Sequence, residues 1–267
     1  KINDEMRDNS DGSASMNLDV LSDLRKTLSS MQSTMSLSES AATSRSSPSD
    51  FTPLLTQPLN YNDILSRWSP HSDDILVQGN FLFYHYLHDN FNDSGWGCAY
   101  RVGQIILSWY GISPVPTILQ MQKKLVEIGD KEESFYESCD WIGSFELFLL
   151  IDTYCPTSLC KILPYSVTDN IDLYEKFSAH FTSGGGPLMI GDVSDGGGAK
   201  CIIGVKHTQN PPDTKPFSVL FWDVHYQGPD DYHHILHTSG FGWIDIHQLL
   251  LYPKSYNICF PSMISSL

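Results

Sequence analysis

The stretch Asn92-Asp93-Ser94-Gly95-Trp96-Gly97-Cys98-Ala99-Tyr100-Arg101 sets a cysteine between a glycine-flanked turn and an apolar run of helical period. Val102, Ile105, Ile106 and Trp109 continue that period, which predicts a helix over residues 99–110 with Cys98 at its mouth. The two glycines leave the backbone bare enough for another chain to lie against it. The helix aims its unpaired amides and positive dipole end at the sulfur, which favours the nucleophilic thiolate. A buried structural cysteine needs neither feature, so the local context points to a nucleophile.

A cysteine nucleophile needs a base, and the base needs an acceptor that orients it. The run Phe221-Trp222-Asp223-Val224-His225-Tyr226 supplies both. Read as the end of a strand over residues 218–225, alternation puts Asp223 and His225 on one face, where carboxylate and imidazole can meet. A carboxylate in an apolar strand is costly unless paired, although a strand end emerging into solvent explains the same residues without chemistry.

The rest of the chain supplies the frame. Residues 81–86 read as an extended segment leading to the glycine turn. Thr117 caps a second helix with the stripe Ile118, Met121, Leu125 and Ile128, which stops at Gly129. Helices are also predicted over residues 140–154, 169–182 and 244–251, and strands over 187–191, 201–205, 218–225 and 256–260. Helices first and strands later indicate an α+β domain, with a mostly antiparallel sheet packed on the nucleophile's helix. Gly184-Gly185-Gly186 reads as a helix stop before a strand. Neither it nor Gly196-Gly197-Gly198 is followed by the lysine and hydroxyl residue of a phosphate loop.

At this point a resemblance becomes specific. Gly95-Trp96-Gly97-Cys98-Ala99-Tyr100-Arg101 followed by Asp223-x-His225 resembles the cysteine peptidases specific for the ubiquitin-fold modifier. The likeness extends through Pro114-Val115-Pro116-Thr117, Ile128-Gly129-Asp130-Lys131, Trp141-Ile142-Gly143-Ser144, Ile203-Gly204-Val205 and Tyr256-Asn257-Ile258-Cys259-Phe260-Pro261. It covers roughly residues 78 to 262, and several separated motifs in order are hard to obtain by chance. The resemblance implies a papain-like fold and hydrolysis after the modifier's C-terminal glycine, for precursor maturation or release from target lysines. By motif, Cys98 corresponds to the nucleophile, His225 to the general base and acid, Asp223 to the orienting group and Tyr86 to the oxyanion donor. Tyr84 competes for that last position. Gly95 and Gly97 would admit the modifier's narrow tail, with Trp96 walling the channel; Trp96 as a packing residue is an equal alternative. No cofactor is implied.

Two departures stand out. Val224 occupies the place of the family's proline between aspartate and histidine. In Gly198-Ala199-Lys200-Cys201, Lys200 stands where relatives carry histidine. The second motivates a rival reading, a weakened enzyme that binds the modifier without cutting it. Another alternative is the autophagy-type cysteine peptidase, which shares the Gly-Trp-Gly-Cys turn and the Asp-x-His pair.

Composition narrows the partners. A formal charge of −15 over 267 residues argues against nucleic acid, which calls for a surplus of lysine and arginine. No stretch is long and apolar enough to insert directly into a membrane. The expected partners are the modifier and its conjugates, with an adaptor protein for recruitment to the endoplasmic reticulum surface. The six cysteines, scattered rather than framed at disulfide spacings, suit a reducing cytoplasm. No metal is expected: His233, His234 and His237 lack a carboxylate or cysteine framework, and Cys155 and Cys160 lack a second pair. Residues 1–55 read as a disordered serine-rich tail, with a short apolar turn at Leu18, Val20, Leu21 and Leu24 and Pro48-adjacent serines at 47 and 49. Residues 56–77 read as a linker and 78–264 as the peptidase domain. A start at lysine is expected of a fragment.

Overall fold

The structure, a computed structural model, describes residues 58–169, 171–193, 198–207, 217–237, 240–251 and 254–263. The serine-rich tail expected over 1–55 lies outside the described residues. The elements run α1 (Tyr61–Trp68), β1 (Ile75–Leu76), α2 (Cys98–Trp109), α3 (Ile118–Glu127), α4 (Ser144–Tyr154), β2 (Ser158–Ser166), α5 (Leu173–Thr182) and β3 (Leu188–Asp192). They continue through β4 (Ala199–His207), β5 (Phe217–Trp222), α6 (Tyr232–Leu236), β6 (Phe241–Asp245), α7 (Ile246–Leu249) and β7 (Ser255–Met263).

The strands form one sheet in the order β2-β7-β3-β4-β5-β6, with β1 added to the far half of β4, and every pairing is antiparallel. At its centre, Cys201, Ile202, Ile203 and Val205 of β4 have no exposed surface. A strand covered on both faces reads as a continuous apolar run rather than an alternating one. Gly204 interrupts that run because a Cβ there would sit 2.5 Å from Leu76 Cδ2. Its absence lets β1 close on β4.

Helix α2 packs on β3 and β4 and against α4. It is buried around nearly its whole circumference, as expected of a helix without a polar stripe. Gly103 permits the close α2–α4 approach, since a Cβ there would meet Leu147 Cδ1 at 3.0 Å. Helix α3 has the expected cap: Gln120 N–H donates to Thr117 Oγ1 at 3.2 Å, and Gln120 Oε1 accepts from Thr117 N–H at 2.8 Å. The chain then turns out at Gly129, whose φ is +76°. After α5, Gly185 packs flush on the His180 ring and Gly186 on the Trp109 ring, so the bare backbone of the triplet serves packing at the helix end.

The fold begins earlier than residue 78. The segment expected as a linker contains α1 and β1, with Tyr61 and Ile64 fully buried. Tyr61 stacks on Phe81 at 4.2 Å between centroids, and Phe83 N–H donates to Leu59 O at 2.9 Å. Tyr61, Ile64, Leu65 and Trp68 lie on one helical stripe, and Asn60 caps it through Asn62 N–H. Strand β2 was also unforeseen: it pairs with β7 from Ser158↔Met263 to Ser166↔Ser255.

Candidate active site

The turn before α2 is built on a buried ion pair. Asp93 and Arg101 have no exposed surface, and Asp93 accepts from Arg101 Nε at 2.8 Å and Nη2 at 3.1 Å. Asp93 Oδ1 also accepts from Leu87 N–H at 2.8 Å, while its carbonyl takes the amides of Trp96 and Gly97. Arg101 reaches on to the His88 carbonyl at 2.9 Å. A buried charge pair holds only when its remaining donors and acceptors are satisfied, and here nearly every one binds the loop. That bracing holds Leu87, Asp89 and Asn90 in the left-handed region, with φ near +60° (65°, 57° and 56°), a costly conformation for side chains other than glycine.

The glycines have distinct reasons. Gly97 packs on the Asp93 side chain, whose Cβ would lie 2.5 Å from a Cβ at 97. Its bareness therefore serves the ion pair as well as the turn. Gly95 needs its φ of +86° and faces open space. Trp96 is buried edge-on between Phe91 and Tyr100, the packing alternative of the two readings.

Asp223 and His225 meet by a route different from strand alternation. Strand β5 stops at Trp222, and the chain turns. His225 N–H donates to Asp223 Oδ1 at 3.1 Å, Tyr226 N–H to the Asp223 carbonyl at 3.1 Å, and His225 Nδ1 lies 2.5 Å from the same Oδ1. This is a side-chain-closed turn, which Asp forms readily. Val224 contributes its buried side chain to the core and its carbonyl to Tyr86 N–H at 2.9 Å.

That bond ties the Tyr86 segment to the His225 turn. The Tyr86 ring stands edge-on to the imidazole at 5.1 Å. Its hydroxyl is within hydrogen-bonding reach of Cys98 and of the Gly95 amide. Tyr84 is directed elsewhere, toward Asp89 and Arg101, and lines a groove of about 570 Å³ with Phe81 and Asn90. Of the two candidates, Tyr86 is the one at the sulfur.

Cys98 is half-buried, and Ala199 N–H donates to its Sγ at 3.4 Å. Burial opposes ionisation of the thiol. The His225 hydrogen bond, the Ala199 amide, the charge on His225 and the Tyr86 hydroxyl outweigh burial and hold the pKa below the ordinary thiol value. For His225, burial again disfavours charge, but Asp223 and Cys98 raise its pKa to about 9. Asp223, opposed by burial and favoured by His225 and Lys200, falls to about 2. Burial, with Cys98 beside it, keeps Tyr86 protonated far above its usual range. Both shifts favour a thiolate–imidazolium pair over the neutral one, with a phenol donor alongside.

Lys200, the departure from the family pattern, lies 3.4 Å from Asp223 Oδ2. It occupies the oxygen that His225 does not use. Gly198 is pressed on the imidazole: a Cβ there would lie 2.5 Å from Nε2. His233, His234 and His237 ride exposed faces of α6 and its C-terminus, away from this cluster.

A thiolate at the mouth of a buried helix, facing an imidazole–carboxylate pair at the end of an antiparallel sheet, is the arrangement of a papain-like cysteine peptidase. Comparison with known proteins is specific: the model of peptidase family C78 matches residues 72–259, and the chain belongs to that family. It is 38% identical over 201 residues to a probable Ufm1-specific protease of Oryza sativa subsp. japonica, covering 70% of this chain and 30% of that one. It is 34% identical over 189 residues to Ufm1-specific protease 1 of Mus musculus, covering 69% of this chain and 84% of that one. A crystal structure of UfSP from C. elegans superposes with a TM-score of 0.64 at 25% identity, over 79% of this chain and 38% of that one. The chain thus spans about a third of the length of the longer relatives it matches (30% and 31% for two of them).

Proposed function

We propose that this domain is a thiol-dependent peptidase that cleaves after the C-terminal glycine of the ubiquitin-fold modifier. It would act on the precursor, on conjugates at target lysines, or on both. One observation carries the reading: Cys98, His225, Asp223 and Tyr86 converge from three separate segments onto one sulfur. The similarity to Ufm1-specific proteases supplies the substrate.

In this reading the Cys98 thiolate attacks the glycine carbonyl. The Tyr86 hydroxyl and the Cys98 N–H receive the charge that develops on oxygen. As the first residue of α2, Cys98 has an amide without an intrahelical acceptor, so it is available for that role. His225 gives its proton to the leaving amine, and then draws one from the water that hydrolyses the thioester. Asp223 holds the imidazole through Nδ1. The open face at Gly95 is the path for a tail without side chains. Lys200 leaves the Asp223–His225 bond intact, which favours an enzyme over a binding module. The proposal extends to a cytoplasmic setting, in keeping with the free thiols among the described residues, with an adaptor protein making any contact with the endoplasmic reticulum.

The test is incubation with modifier precursor carrying residues beyond the terminal glycine, with the product read by mass spectrometry. Cleavage directly after the glycine, absent from Cys98→Ala, supports the proposal. No cleavage by folded protein, or preferred cleavage of an autophagy-type ubiquitin-like precursor, contradicts it.

A further inference from the structure

A second histidine set lies apart from residues 233–237. His85 and His88 come from the segment that carries Tyr86, and Asp230 from the loop that follows His225. One donor atom from each lies within 4.8 Å of the others. All three side chains are buried, at 5%, 1% and 3% exposure. Two imidazoles and a carboxylate withdrawn from water are costly unless their polar atoms are matched.

Direct pairing matches them only in part. His85 Nδ1 is 2.8 Å from the Tyr86 carbonyl, an acceptor, so that nitrogen donates and, in the neutral ring, Nε2 turns its lone pair into the cluster. Nε2 lies 2.9 Å from Asp230 Oδ1, a second acceptor, and the contact needs a positive centre between them. His88 has no hydrogen bond at either ring nitrogen among the described residues. Its Nδ1 is 3.6 Å from Asp230 Oδ2, and its Nε2 is 3.6 Å from Asp89 Oδ1. That spacing is too long for a hydrogen bond. It suits two atoms on one ion, since bonds of about 2.0–2.2 Å at tetrahedral angles place ligand atoms about 3.3–3.6 Å apart. A proton on His85 answers the first contact, at 2.9 Å, and leaves His88 unmatched; an ion bound through Asp230 Oδ2, 3.6 Å from His88 Nδ1, matches His88 as well.

We propose that His85 Nε2, His88 Nδ1 and a carboxylate oxygen of Asp230 form a structural site for a borderline divalent transition ion of the zinc type. Two imidazole nitrogens and one carboxylate oxygen are its preferred donors. The His85 Nδ1 bond to a backbone carbonyl is the outer-sphere contact that fixes a ligating tautomer. The local charge favours a cation, because Asp89, Asp93 and Asp230 outnumber Arg101, which Asp93 already engages. The ion staples the Tyr86 segment to the His225 loop, the two pieces that must stay in register over Cys98. The site stands independently of the proposed peptidase reaction.

The experiment uses the full chain with Cys98→Ala, so that the thiolate–imidazole pair cannot capture the ion. The protein is stripped with a chelator, desalted, and titrated with Zn2+ against a chromophoric competitor. One zinc per chain surviving desalting, with a melting temperature raised by several degrees, is expected. Adding His88→Gln should weaken binding by at least about 100-fold and abolish that rise. Co2+ in the Cys98→Ala protein should give visible bands without the near-ultraviolet charge transfer of a thiolate ligand, a readout that holds if His88→Gln fails to fold. Failure to retain zinc, unchanged binding in His88→Gln, or a thiolate band with Co2+ would each overturn the proposal.

Discussion

Charge placement around one sulfur sets the chemistry at the residue scale. His225 titrates near pH 9, so its proton is present through neutrality and is lost above that point. Turnover of a modifier precursor is therefore expected to fall on an alkaline limb near pH 9, measured as kcat/KM across pH. The sign for stability agrees: a raised folded-state pKa stabilises fully below the ordinary value of 6.5, and the benefit fades as pH rises through about 9. In the proposed reaction Tyr86 donates to the developing oxyanion, so Tyr86→Phe should lower kcat by about 100-fold with KM little changed. Equal kcat in the two proteins would remove Tyr86 from the reaction.

Elements hold those residues in place, and the brace is the Asp93–Arg101 pair between the 86–90 loop and α2. Asp93→Asn leaves a buried guanidinium uncompensated and should cost about 3–5 kcal/mol, read from a denaturant midpoint. A loss below about 1 kcal/mol would mean that the loop is held by other means. At this scale the sequence was legible in uneven measure. Helix α2, the Thr117 cap and the Gly129 stop follow from local rules, because cap chemistry and helical period act within a few residues. The pairing of Asp223 with His225 was anticipated, yet its geometry was not: the strand ends at Trp222, three residues before the imidazole. Strand β2 escaped because Pro164 interrupts it and its burial does not alternate cleanly. Strand β6 escaped because Gly242, at φ +154°, reads as a turn. The His85–His88–Asp230 cluster had no signal, since its third member lies 142 positions (230 minus 88) from the second.

For the whole molecule, the fold is a device for bringing the N-terminus of one buried helix to the end of one sheet strand. Its boundary matters, because α1 and β1 complete the core under Phe81 and Phe83. A chain starting at Gln78 loses the buried Tyr61 and Ile64 and should melt well below one starting at Pro58, each lost side chain costing about 2–5 kcal/mol. Equal melting temperatures would show that residues 58–77 lie outside the cooperative unit. The order of elements, by contrast, was legible at this scale: helices first and strands later marked an α+β domain before any contact was known. What the assembled site favours is an ionised thiol, and the rate of Cys98 alkylation against pH, followed by mass spectrometry, measures that state directly. The rate should stay high well below pH 8.5, the ordinary midpoint of about 8.5 for a free thiol, and His225→Ala should move the midpoint up toward it. A parent protein that titrates like a free thiol, unchanged by His225→Ala, would contradict the ion pair and the peptidase with it.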